Sequence, residues 1–265
     1  TCALPISHII LTVAFVFLYV LVSIPDFVAM KTFLLAVATA VAVAQAAQLR
    51  GISSSGCSYS SDFDYIMLTE QWPQTECDDT FHCSVKPPNF FTIHGAWPNN
   101  FDGSYPCNCD SSDEFDPSKV SSLHSELVEY WPSLQCISDP DSCLDSFLSH
   151  EWSKHGTCAR EISAMSTQLG YFSTALALRE KYEILPALAK QGIYPSSSKW
   201  YSKSSVSTAF KSEHGTYPAL QCDSSGYISI MAVCFAKNLT AIDCPSDNSN
   251  CNSDSVLLPD RKSVV

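Results

Sequence analysis

Four runs rich in aromatic and β-branched residues, Phe63 to Leu68, Phe90 to His94, Tyr217 to Cys222 and Tyr227 to Phe235, predict strands. Helical spacing marks other stretches. Asp116-Pro117 caps a run from Ser118 to Tyr130 that Trp131-Pro132 stops, while Thr167 to Tyr182 and Ile184 to Lys190 carry a helical period closed by Gly192. Strands and helices do not alternate regularly. The expectation is therefore an α+β fold with a central antiparallel sheet packed with helices.

Two apolar runs near the start have a different meaning. Met30-Lys31, the run Phe33 to Val43 and the small-residue stretch Ala44-Gln45-Ala46-Ala47 read as a secretory signal peptide cleaved near Ala46 to Gln48. Residues 1–29 carry their own run, Ile9 to Val22, which is short for a bilayer span of about 20 residues. They are read as an upstream segment outside the mature protein, with a membrane anchor as the lesser alternative. No linker or internal repeat divides the remainder, so residues 48–265 are expected to fold as a single domain without stable membrane association. Serine-rich patches at Ser53 to Ser55, Ser196 to Ser198 and Ser202 to Ser205 read as loops or exposed turns.

Of the 13 cysteines, setting Cys2 aside with the upstream stretch leaves an even number in an exported chain, which reads as a disulfide framework. Export also gives Asn238-Leu239-Thr240 a meaning, as an acceptor site for N-linked sugar.

The segments that carry chemistry are Phe91-Thr92-Ile93-His94-Gly95-Ala96-Trp97-Pro98 and Ser149-His150-Glu151-Trp152-Ser153-Lys154-His155-Gly156-Thr157-Cys158. On a helix stepping about 100° per residue, with His150 at zero, Lys154 falls at about 40°, Glu151 at about 100° and His155 at about 140°. All four groups share one arc. Trp152, at about 200°, turns away to anchor in the core, and Phe147, at about 60°, puts an aromatic ring among the charges. Gly156 is expected to end the helix, with Cys158 pinning that end. Thr92-Ile93-His94-Gly95 reads as a strand end. If folding joins the two segments, they form a two-histidine acid/base site suited to phosphodiester cleavage.

A zinc site competes with this reading, because H-E-x-x-H on a helix sets two histidines on one side. Here the spacing is H-E-x-x-x-H, which splays them, and Lys154 would put a cation beside the metal. No metal and no cofactor is expected. Surface histidines with a helical ion pair would be a plainer account, but that account leaves His94 and its neighbours unexplained. His82, His124 and His214 lie outside both segments and are assigned no role.

The net charge of −12 is awkward for a polyanionic substrate at neutral pH, and it persists after the leader is removed, which takes away only Asp26 and Lys31. Acid protonates histidines and discharges carboxylates. An acidic optimum is expected, with binding by local stacking and hydrogen bonds.

Both segments resemble the active-site motifs of the T-two ribonuclease family, secreted acid ribonucleases that include plant S-RNases, and the resemblance extends over roughly Asp62 to Cys251. It implies an α+β fold and metal-independent cleavage of single-stranded RNA through a 2′,3′-cyclic phosphate. By the same resemblance His155 is the base and His94 the acid, Lys154 and Glu151 stabilise the phosphorane, and His150 holds the phosphate. Trp97, Asn99 and Tyr105 match one base site; Gln71 and Phe147 resemble the second. DNA, lacking the attacking hydroxyl, is not a substrate. The family pattern further implies the disulfides Cys77 with Cys83, Cys109 with Cys158, Cys222 with Cys251 and Cys234 with Cys244. Cys57, Cys107, Cys136 and Cys143 then admit three pairings, among which Cys136 with Cys143 and Cys57 with Cys107 is preferred.

Ala96 stands where the family usually has Leu, Leu148 where many members have Trp, and Ser84 in place of an expected half-cystine. None of these removes a catalytic group. The expected protein is thus a monomeric, secreted acid endoribonuclease. The alternative is a secreted binding or toxin protein on the same scaffold with little or no catalysis.

Overall fold

The computed structural model describes residues 56–58, 61–77, 83, 87–136 and 139–260, all within the unit Ser54–Val265. The upstream segment, the signal peptide and its cleavage region, Ser53 to Ser55, His82, Ser84 and residues 261–265 lie outside the described residues.

The centre of the molecule is strand β2 (Tyr65–Gln71), which pairs antiparallel along its whole length with β3 (Thr92–Asn99) on one side and β7 (Ile228–Ala236) on the other. Strand β6 (Ala219–Cys222) and the short β8 (Ala241–Ile242) both pair antiparallel with β7. Every residue of β2 is buried because both faces are covered. Ile66 and Leu68 join the large core beneath the helices, and Tyr65 and Met67 pack on the opposite face with Ala219, Ala232 and Cys234. This is the period-two alternation of a pleated strand. The strand extends past Leu68, where the sequence turns polar, through Thr69, Glu70 and Gln71. Glu70 is tolerated there because burial holds its carboxyl protonated, with a pKa pushed up to about 8, and Arg179 stands 3.8 Å away.

Strand β3 begins later than its sequence suggests and continues through Trp97-Pro98. It has β2 as its partner on one side and forms an edge of the sheet, so the missing amide hydrogen of Pro98 disrupts no second ladder. Two smaller pairs complete the strands, β1 (Cys57–Ser58) with β4 (Tyr105–Pro106) in parallel and β5 (Trp200–Ser202) with β9 (Ser255–Leu257) antiparallel.

The predicted run Ser118 to Tyr130 divides into a 3-10 segment, Pro117–Leu123, and a helix, His124–Tyr130. Asp116 caps the first by accepting from the Ser118 amide. Gln168–Lys181 and Ile184–Lys190 are helical as expected. The serines at 202–205 do not form a loop. They cap and open a helix, Lys203–His214, with the Ser202 hydroxyl accepting from the Ser205 amide. Its polar start hides an amphipathic stripe of Val206, Ala209 and Phe210.

All six disulfides anticipated from the sequence are formed: Cys57–Cys107, Cys77–Cys83, Cys109–Cys158, Cys136–Cys143, Cys222–Cys251 and Cys234–Cys244. Cys57–Cys107 and Cys109–Cys158 close the longest loops, with sequence separations of 50 and 49, each worth about 4 kcal/mol on the chain-entropy account. Asn238 is exposed in the turn joining β7 to β8, its side chain accepting from the Thr240 amide. Of the histidines without an assigned role, His124 is exposed beside Asp141, and His214 ends its helix against Phe210 and Tyr182.

Candidate active site

His94 does not end a strand. It is the extra residue of a β-bulge: Thr69 faces Gly95 and Glu70 faces Ile93, so His94 has no opposite number in β2. Such a bulge re-aims one side chain out of the alternating pattern. Two aromatic residues from separate helical segments hold it. The Trp131 indole donates to the His94 carbonyl at 2.9 Å, and the Tyr171 hydroxyl donates to the Ala96 carbonyl at 2.9 Å. In sequence, Trp131 reads only as a helix stop and Tyr171 as one more residue of a periodic run. Their bonds to β3 span 37 and 75 residues and have no local signal.

Opposite the bulge lies the helix Pro140–Lys154, capped by Asp139, whose buried stripe is Leu144, Leu148, Glu151 and Trp152. Trp152 is wholly buried and donates its indole hydrogen to the Asp113 carbonyl, as its place on the helical wheel implies. Leu148 and Ala96, the two departures in packing, are both buried in the core. The helix ends at Lys154, but Gly156 is not a left-handed cap. The chain turns directly into a 3-10 segment, Gly156–Glu161, and a β-carbon at 156 would lie 2.3 Å from the Trp152 ring. Close approach, rather than backbone handedness, accounts for the glycine.

The two segments meet at Trp97. Its ring stacks on His155 with centroids 5.1 Å apart, meets the edge of His94 at 5.2 Å, and its indole nitrogen donates to Glu151 Oε2 at 2.9 Å. Gly95 makes this possible, since a β-carbon there would sit 2.0 Å from Trp97 Nε1 and 2.2 Å from Glu151 Oε2. His150 stands 6.5 Å from His155, and Phe147 5.7 Å from His94, ring centre to ring centre. The structure thus gathers His94, His150, Glu151 and His155 in one cluster, with Lys154 acting on the three imidazoles through its charge.

Burial sets the electrostatics. It lowers the His94 pKa to about 4 and the His155 pKa to about 3, helped by Lys154 and the neighbouring histidines. His150, more exposed, is also lowered, by burial and then by Lys154. Burial raises Glu151 to about 8, against the opposing pull of the Trp97 hydrogen bond and Lys154. Around pH 5 the cluster therefore holds two neutral imidazoles and a neutral carboxylic acid. Glu151 Oε1 and His155 Nδ1 are buried and have no hydrogen-bond partner. Among the described residues no group of three or more His, Cys, Asp and Glu is placed to hold a metal ion.

A cavity of 160 Å³ opens beside His94, lined by Gln71 and Phe147 together with Glu76, Ser133, Leu134 and Gln135. The last four carry no sequence signal for the site. Residues 133–135 come directly after Trp131-Pro132, and the tie from Trp131 to His94 is what carries that loop to the site. Asn99 and Tyr105 are half-buried on the other side of Trp97 in sequence, at the end of β3 and in β4. Asn99 donates to the Trp97 carbonyl, and Cys57–Cys107 anchors the segment beyond Tyr105.

The sequence pattern of the Ribonuclease T2 family matches residues 63–244, which include both histidine segments. The chain belongs to this family. It is 42% identical over 176 residues to Ribonuclease 1 of Arabidopsis thaliana, covering 65% of this chain and 74% of that one. Extracellular ribonuclease LE of Solanum lycopersicum is 38% identical over 195 residues, 70% of this chain and 82% of its own. Among solved structures, RNase NT in complex with 5′-AMP superposes with a TM-score of 0.67 at 34% identity, covering 75% of this chain and 98% of that one. That superposition shows that the arrangement of helices around an antiparallel sheet is shared with a solved Ribonuclease T2 structure.

Proposed function

We propose that this protein is an endoribonuclease that cleaves single-stranded RNA by acid/base transphosphorylation, and that residues 48–265 are its mature, exported form. The observation that carries the reading is the convergence of His94, from the bulge, and His155, from the helix end, on Trp97, each with its ring centre within 5.2 Å of that indole. His155, the more depressed of the two, is the one that remains neutral in acid, and it takes the proton from the ribose 2′-hydroxyl. The freed oxygen attacks phosphorus, the bond to the 5′-oxygen breaks, and protonated His94 supplies that oxygen with a proton. A 2′,3′-cyclic phosphate and a 5′-hydroxyl result. The substrate contributes to its own cleavage, because a phosphate anion within about 4–6 Å raises the pKa of a histidine and favours the protonated acid.

Lys154 and Glu151 stabilise the phosphorane, and His150 holds the phosphate. A carboxylate would repel that charge, whereas a neutral carboxyl donates to it, which the protonated state of Glu151 supports. The base upstream of the cut is received by Trp97, Asn99 and Tyr105, with the Trp97–His155 stack as its platform. The downstream nucleoside, whose 5′-oxygen leaves, occupies the cavity of His94, Gln71 and Phe147. Asn238 carries sugar in the exported protein.

Purified protein incubated with single-stranded RNA near pH 5 in the presence of a chelator is expected to produce cyclic-phosphate ends, detected by mass spectrometry. Inhibition by the chelator would point to a metal enzyme, and intact RNA to a binding protein on this scaffold. The role of Glu151 has its own check. Glu151→Gln, which keeps a neutral donor, is expected to retain kcat within about tenfold, while Glu151→Ala loses about a hundredfold or more. Equal losses in the two variants would show that an anion is needed.

A further inference from the structure

The cavity beside His94 does not end at Leu134. A second, larger cavity of 410 Å³ shares Ser133 and Leu134 with it and continues to the N-terminal end of the helix Pro140–Lys154, where Pro140, Asp141 and Leu144 line it. Its walls are mostly apolar, with Pro88, Phe90, Val128 and Leu144, and the acidic residues Glu129 and Asp141 also line it. Val128 is 46% exposed, an apolar residue left open to solvent inside a groove. Phe147 of the first cavity and Leu144 of the second lie on the same helix three residues apart, one turn and about 4.5 Å along the axis. The two cavities thus form one continuous path leading away from His94.

We propose that this second cavity is a third base subsite, which receives the base of the nucleotide following the downstream nucleoside. The proposal rests on the ribonuclease reading for its polarity: His94 protonates the leaving 5′-oxygen, so the strand leaves the site past Phe147 in the 3′ direction. Phe90 supplies the aromatic surface. Its ring is held in place by Tyr130, with centroids 5.8 Å apart, and by the Arg179 guanidinium at 5.4 Å, and a fixed ring is what a stacking platform requires. The volume suits a purine better than the smaller cavity does, and the Glu129 carboxylate complements the exocyclic amino group of adenine. A carboxylate would repel a phosphate, which places the base rather than the backbone in the groove.

The test is binding to strands that cannot be cleaved because each nucleotide preceding a phosphate is 2′-deoxy. Dissociation constants are measured at pH 5 for a dinucleotide, for the same strand extended at its 3′ end by an abasic nucleotide, and for the strand extended by adenosine. The adenine base is expected to tighten binding about tenfold over the abasic extension. In Val128→Glu, which adds a like charge at an exposed position, and in Phe90→Ala, the ratio between the two extended strands falls to near one. Equal affinity of abasic and adenosine strands for the natural protein would overturn the subsite. The ribonuclease reading is decided separately by whether an ordinary ribodinucleotide is cut, so failure of one does not mask failure of the other.

Discussion

His155→Ala and His94→Ala are each expected to lower kcat/KM on single-stranded RNA by about three orders of magnitude or more, against the roughly 10²–10⁴ that a positioned acid or base typically contributes. The two losses should not add, because base and acid act in one concerted unit, and the double variant is expected to fall little below either single one. His155 is the riskier substitution for the fold, since its ring is buried and stacked on Trp97, so circular dichroism and thermal unfolding must accompany the kinetics. His155→Phe preserves the stack and isolates the proton transfer. Near-normal turnover by a folded His155→Phe or His94→Ala protein would refute the two-histidine mechanism.

The second large effect is on stability as a function of pH. His94 and His155 have folded pKa values of about 4 and about 3 against an ordinary 6.5, so the unfolded chain binds more protons and stability rises with pH up to 6.5. Glu70 and Glu151 have folded values of about 8 against 4.5, so the native state binds more protons and stability falls as pH rises from 4.5 to 8. Between pH 4.5 and 6.5 the two pairs oppose each other and the profile is flat. Above that window the glutamates act alone, and a loss of about 2–4 kcal/mol is expected by about pH 8, a fall in Tm of about 5–15 °C for a domain of this size. Below it the histidines act alone and stability falls again. A Tm that is constant or increasing from about pH 6 to about pH 8 would contradict this account, and Glu70→Gln should remove about half of the decline.

The helix around His150 can be read from sequence because a fixed angular step decides which side chains share a face, and that rule is local. The placement of His94 cannot. A bulge is a property of register between two strands, and nothing within Thr92 to Trp97 states that Glu70 will face Ile93. The same reason hides the roles of Trp131 and Tyr171, whose bonds reach β3 from distant helical segments. Strand β2 reads as ending at Leu68 because Thr69 and Glu70 look like solvent-facing residues; their burial is decided by Arg179 and the helices above the sheet. Ser202 to Ser205 mislead in the opposite sense, since capping serines and loop serines share a composition and differ only in the spacing of the apolar residues C-terminal to them. The disulfide framework was largely legible because it came through family resemblance.

The bond between Cys109 and Cys158 lies four residues beyond Lys154, and it is supported by hydrogen bonds from the Asn108 amide to the Lys154 carbonyl and from the Cys109 amide to the Thr157 hydroxyl. Two of the groups proposed for catalysis therefore sit at a helix terminus that is stapled to a neighbouring loop. In a reducing compartment that staple opens, and the terminus is left to those hydrogen bonds, the burial of Trp152 and the stack of His155 on Trp97. The fold thereby makes the placement of Lys154 and His155 sensitive to the redox state of the Cys109–Cys158 bond.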